Sequence, residues 1–133
     1  MDAQRIAIAK KCQDASYDKT LDFPAIVGLL IQSGFDGYAV DYRLGRTTYY
    51  LSDGDAVALD HPHPGGPVAA AFDQQAIAAQ IRWAQANPPD YSYAAFCTNV
   101  KAMGCAGYVV SFPGRRVLYY GRTAETHTEF FPQ

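Results

Sequence analysis

The feature that most constrains this chain is that it lies over itself. Shifted by 70 positions without a gap, Asp36-Gly37-Tyr38-Ala39-Val40 meets Ala106-Gly107-Tyr108-Val109-Val110, Arg46 meets Arg116, Tyr49-Tyr50 meets Tyr119-Tyr120, and Pro62 meets Pro132. Gly34 and Gly104, Ala25 and Ala95, and Asp22 and Ser92 fall into the same register. Self-similarity at a fixed period marks a repeated supersecondary unit, and a unit of that size buries its apolar face only against a neighbour. In 133 residues there is room for two such units in one domain. The reading is therefore a single domain over residues 1–133, with a first unit at about 2–62, a connector at 61–71 and a second unit at about 72–132.

Apolar spacing says what each unit contains. Phe23, Ile26, Val27 and Leu30 fall at i, i+3, i+4 and i+7, one face of a helix, and Tyr93, Phe96, Cys97 and Val100 repeat that spacing. Asp22 and Ser92 can accept the orphan backbone N–H groups at the helix start, Pro24 is tolerated in a first turn, and Gly34 and Gly104 suit the left-handed residue that ends a helix. A less regular helix precedes each, over about 2–16 and 73–86, the second ending before Pro88-Pro89. After each glycine stop the period drops to 2, through Tyr38, Val40 and Tyr42 and through Tyr108, Val110 and Phe112. Turns at Leu44-Gly45 and Pro113-Gly114 lead to second strands, and third strands follow at about 55–60 and 125–131. Strands this short need a partner layer. The predicted fold is α+β: a duplicated α-α-β-β-β unit, with four helices on one face of an antiparallel sheet of about six strands. The connector His61-Pro62-His63-Pro64-Gly65-Gly66-Pro67 is too rich in Pro and Gly for regular structure.

Charge and composition narrow the function classes. Eleven basic residues against thirteen acidic ones give a net charge of −2, which argues against a nucleic-acid footprint. No apolar run approaches the roughly 20 residues that span a bilayer, and the N-terminal segment is mixed rather than a signal peptide, so a cytoplasmic protein without a membrane partner is expected. Cys12, Cys97 and Cys105 are odd in number and lack zinc-type spacing, which makes free thiols the expectation.

Several segments together carry a family likeness. They are Thr20-Leu21-Asp22-Phe23-Pro24; Gly37-Tyr38-Ala39-Val40-Asp41 with Thr48-Tyr49-Tyr50; Gly104-Cys105-Ala106-Gly107-Tyr108 with Gly114-Arg115-Arg116; and Tyr120-Gly121-Arg122 followed by His127, Glu129 and Phe131-Pro132. With these, nearly the whole chain resembles the YbcV-like family of small bacterial proteins, whose members are sometimes labelled phage envelope protein. The resemblance implies no particular reaction; the label implies a structural or assembly role in phage.

Four groups of residues carry candidate chemistry. Glu125, His127 and Glu129 alternate along the last strand, so period 2 puts an imidazole and two carboxylates on one face, a set suited to acid/base work in a hydrolase or isomerase; an edge strand also carries such charges simply to prevent aggregation. The first unit has Asp55, Val57 and Leu59 at those positions. His61 and His63 beside Asp60 form a weak candidate metal pair that His127 would complete only if the fold brought it near. Cys97 and Cys105 replace Val27 and Phe35 of the first unit, as small core hydrophobes do. Both units keep tyrosine and arginine, and the candidate ligand-binding set is Tyr38, Asp41, Arg46, Tyr50, Tyr108, Arg116 and Tyr120. One member of each Tyr-Tyr pair must face away from the helices. No serine-nucleophile motif, phosphate loop, dinucleotide fingerprint or zinc signature appears, and no cofactor is implied. The expected function is a non-catalytic module, monomeric or homodimeric, that binds a small molecule or a protein.

Overall fold

A computed structural model describes residues 1–62 and 66–132. The elements follow the order α1 (Ala3–Asp18), α2 (Phe23–Gln32), β1 (Phe35–Asp41), β2 (Arg46–Leu51), β3 (Ala56–Asp60), α3 (Gln74–Ala86), α4 (Tyr93–Ala102), β4 (Cys105–Ser111), β5 (Arg116–Gly121) and β6 (Thr126–Phe130). From α2 onward every boundary of the first half recurs 70 residues later in the second. The leading helices are less alike, with 16 residues in α1 and 13 in α3.

The helix ends are where short side chains and glycine would put them. Asp2, Asp22, Asp73 and Ser92 each accept the backbone N–H three residues on, satisfying one of the four donors a helix start leaves open. Gly34 and Gly104 follow α2 and α4 with φ of +89° and +94°. At Gly104 a Cβ would also lie 2.0 Å from the carbonyl oxygen of Ala71, so both conformation and space demand glycine there. The structure lengthens α1 by two residues beyond the predicted end at Ser16, to a left-handed Lys19 at φ 61°, because Tyr17 and Asp18 continue a helix that no Gly or Pro interrupts.

The six strands form one antiparallel sheet in the order β3-β2-β1-β4-β5-β6. The halves join where β1 meets β4, with Tyr38 opposite Val110, Ala39 opposite Val109 and Val40 opposite Tyr108. Each of these residues pairs with a residue that is itself a repeat equivalent, Ala39 with its own counterpart, so the pairing has the register of a local two-fold. A half-sheet of three strands would leave β1 as an open edge, and the pairing with β4 closes it.

Alternation along the strands sorts the side chains. Tyr38, Val40, Tyr42, Tyr49, Tyr108, Val110, Phe112, Val117 and Tyr119 join Ala9, Cys12, Ile26, Leu30, Ile77, Ile81, Phe96 and Val100 in one buried cluster. Burying a side chain of Leu or Ile size contributes about 1.5–3 kcal/mol, so this layer dominates stability. Residues of opposite parity, among them Ala39, Asp41, Thr48, Tyr50, Val109, Ser111, Arg116, Leu118 and Tyr120, stay half-buried or exposed. Among the described residues no helix is long and apolar enough to cross a membrane.

Candidate functional site

The predicted ligand-binding set divides between the two faces of the sheet. Tyr38 and Tyr108 have the parity of the core and are buried in it, their rings in a T-shaped contact across the β1/β4 seam with centroids 6.3 Å apart. Both tyrosines begin their runs of alternation on the helix-contacting side. Asp41, Arg46, Tyr50, Arg116 and Tyr120 lie on the other side, in register with one another through the strand pairs.

On that exposed face the two halves repeat a construction. Asp41 Oδ1 accepts the N–H groups of Arg43 and Leu44, each at 3.0 Å, and holds the turn from β1 to β2; at the equivalent position Ser111 Oγ accepts the Gly114 N–H at 2.9 Å. Tyr50 stands opposite Gly37 and Tyr120 opposite Gly107. The Tyr120 ring lies so close over Gly107 that a Cβ there would be 2.4 Å from the phenol oxygen, an aromatic covering a glycine its partner strand leaves bare. Burial, and then the Asp41 carboxylate nearby, push the Tyr120 phenol upward, with Arg43 opposing. Each arginine is tied down locally: Arg46 Nε donates to Asp60 at 3.0 Å, while the Arg116 guanidinium sits 4.7 Å over the Phe130 ring and its Nε donates to the Gly114 carbonyl.

Beside these arginines the face carries exposed apolar side chains. Tyr50 is 43% exposed, Val109 41% and Phe130 66%, with Leu118 and Tyr120 half-buried between them. From β2 to β6 the patch crosses four strand spacings, about 19 Å at roughly 4.8 Å each. Phe130 and Val109 were not among the sequence candidates. Phe130 carried a legible signal: its parity along the last strand is opposite to that of His127 and Glu129.

The last strand organises differently from the predicted trio. His127 and Glu129 point toward α3, where the repeat has Val57 and Leu59 packing against the core. Their side chains are only 12% and 17% exposed, so neither is a solvent-face charge of the edge-protecting kind. Polar groups placed there require partners, and α3 supplies them. The Gln74 amide donates to His127 Nδ1 at 2.7 Å, His127 Nε2 donates to Glu129 Oε2 at 2.5 Å, and Arg82 donates to Glu129 Oε1 at 2.9 Å. An amide N–H on Nδ1 sets the neutral ring's proton on Nε2, and both ring nitrogens are then engaged. Glu125 does not join: it precedes β6, is exposed, and accepts from the Thr123 hydroxyl at 2.7 Å. Gln74 and Arg82, both on α3, escaped the sequence reading.

The histidine pair is also separated from His127. His61 follows β3 at one sheet edge and His127 lies in β6 at the other, five strand spacings or about 24 Å apart, so His127 cannot complete a metal site with it. His61 is buried, with Nε2 2.8 Å from the Thr47 hydroxyl, and its proton affinity is lowered first by burial and then by the charge of Lys101. Asp60 is engaged with Arg46. His63 lies outside the described residues. Among the described residues no group of three or more His, Cys, Asp or Glu could hold a metal ion. Cys12, Cys97 and Cys105 are free and buried, and burial pushes each thiol up to about 11.

No protein-family model matches the chain, and no curated protein matches it in sequence.

Proposed function

We propose that this chain is a non-catalytic, cytoplasmic binding module that offers the exposed face of its sheet to a protein or a small molecule, as a member of the YbcV-like family. The observation that carries the reading is the coincidence of the exposed Tyr50, Val109 and Phe130 on one sheet face with Arg46 and Arg116 beside them. Rigid aromatic area bordered by guanidinium groups is the composition that interfaces favour over ordinary surface. Buried free thiols fit a reducing compartment.

The test is a thermal-shift screen of metabolites and peptides, run on the native chain and on Tyr50→Ala, Val109→Ser and Phe130→Ser. Exposed positions of this kind change stability by no more than about 1 kcal/mol, so the variants fold and their binding is interpretable. Binders should lose at least tenfold in affinity on the variants. A binder indifferent to all three substitutions contradicts the proposal.

A hydrolase or isomerase built on His127 is the second reading, favoured by the Glu129 carboxylate that orients its ring. It requires the Gln74 amide to leave Nδ1 before the ring can act as a base. If a substrate is found and His127→Ala turns it over undiminished, that reading fails. A part in phage assembly rests on the family likeness alone.

A further inference from the structure

On the core side of the sheet a small crevice of about 20 Å³ opens against α1 and α4. Gln13, Tyr17, Tyr38, Tyr49, Tyr93 and Tyr108 are among the residues lining it. That volume admits one water-sized group. Gln13 is 9% exposed, and its Nε2 donates to the Asp60 carbonyl at 2.7 Å. Because that carbonyl can only accept, the amide's orientation is set by chemistry, and Oε1 is the end left over. Oε1 is buried and has no hydrogen-bond partner among the described residues. A buried acceptor in that condition is an exception among protein polar groups, and a bound donor is the ordinary remedy.

The walls say which donor. No Asp, Glu, Lys or Arg lines the crevice, so a charged occupant would be left without a counter-charge. Burial raises the Tyr38, Tyr49, Tyr93 and Tyr108 phenols far above their ordinary range, so they remain neutral hydroxyls. Tyr93 and Tyr108 share a hydrogen bond at 2.6 Å, and Ser16 donates to the Cys12 carbonyl at 3.2 Å. These neighbouring hydroxyls are thus partly committed, while Gln13 Oε1 is not.

We propose that the crevice is a built site for one neutral hydrogen-bond donor, an O–H or amide N–H directed at Gln13 Oε1. Its source is either a resident water or the hydroxyl or amide tip of a small uncharged ligand. This site lies on the opposite side of the sheet from the proposed binding face and stands independently of it.

The experiment is a high-resolution crystal structure of the full chain, alone and soaked with formamide, alongside water-to-amide cross-relaxation and formamide titration by NMR. The same measurements on Gln13→Met remove the acceptor at similar side-chain volume. Density within hydrogen-bond distance of Oε1 in the native chain, lost in the variant, is the expected result. Water density that formamide does not replace identifies solvent as the source. Replacement by formamide, with binding at least tenfold weaker in Gln13→Met, identifies the ligand tip. An empty crevice in both crystals, or Oε1 turned onto a protein donor, overturns the proposal, and the native chain decides this by itself if the variant does not fold.

Discussion

Single residues show most clearly where polarity and backbone are under constraint. Gly104 and Gly28 are opposite cases. Gly104→Ala forces a β-carbon toward the Ala71 carbonyl at a φ of +94°, and the conformation alone costs about 1–2 kcal/mol before the collision is counted. Gly28 lies within α2, and a β-carbon added there would meet nothing within 4 Å, so Gly28→Ala should stabilise by about 0.5–1 kcal/mol. Urea denaturation of both variants checks the contrast. The thiols, held at about 11 by burial, should react with a disulfide reagent only when the chain unfolds, and fast labelling of the native protein would contradict their placement in the core. At His61 the sign of the pH effect follows from burial. Its folded proton affinity lies below the ordinary value of 6.5, so the unfolded chain binds the proton more readily. The stability this residue contributes is complete above about pH 6.5 and is lost as pH falls toward the folded value. Lys101 strengthens the depression, and Asp41 and Asp60 oppose it. The slope of urea midpoint between pH 7.5 and 5.5 should therefore be shallower in His61→Gln than in the native chain, and an unchanged slope would exclude His61 as its source.

Among elements, α3 and β6 are the pair whose relation had to be seen. The periods of 3.6 and 2 placed α2, α4 and the strands that follow them, because apolar spacing and glycine stops are local, while the less regular α1 runs two residues beyond its expected end. The trio on the last strand was legible as two residues in three: alternation put His127 and Glu129 on one face, but a hairpin turn takes Glu125 out of the strand, and spacing does not reveal where a turn ends. Nor does it reveal that the face looks inward, toward Gln74 and Arg82. If these contacts latch α3 to β6, Gln74→Ala should cost about 1 kcal/mol, since it strips a partner from a mostly buried imidazole nitrogen. Arg82→Ala should cost less, at most about 1 kcal/mol, because its guanidinium is largely in water. Amide hydrogen exchange in α3 should accelerate more in the first variant than in the second.

At the scale of the molecule, the two halves of the sheet meet where β1 pairs with β4. The pairing of β1 with β4 was not readable from either unit, since it depends on which edges remain open once both hairpins form. That seam decides the surface: it sets Val109 at the centre of a face whose ends are Tyr50 and Phe130, while it takes Tyr38 and Tyr108 into the core. The tyrosines that both halves keep therefore have two causes, core packing for one set and glycine covering or exposure for the other. The proposed place of engagement is the exposed face and not the His127 cluster. Its most direct test is amide chemical-shift mapping of the ¹⁵N-labelled protein with a binder from the screen. The largest shifts are expected at Tyr50, Val109, Leu118, Tyr120 and Phe130, with Gln74 and His127 unmoved. Shifts concentrated at Gln74, Arg82, His127 and Glu129 with the sheet face silent would contradict it.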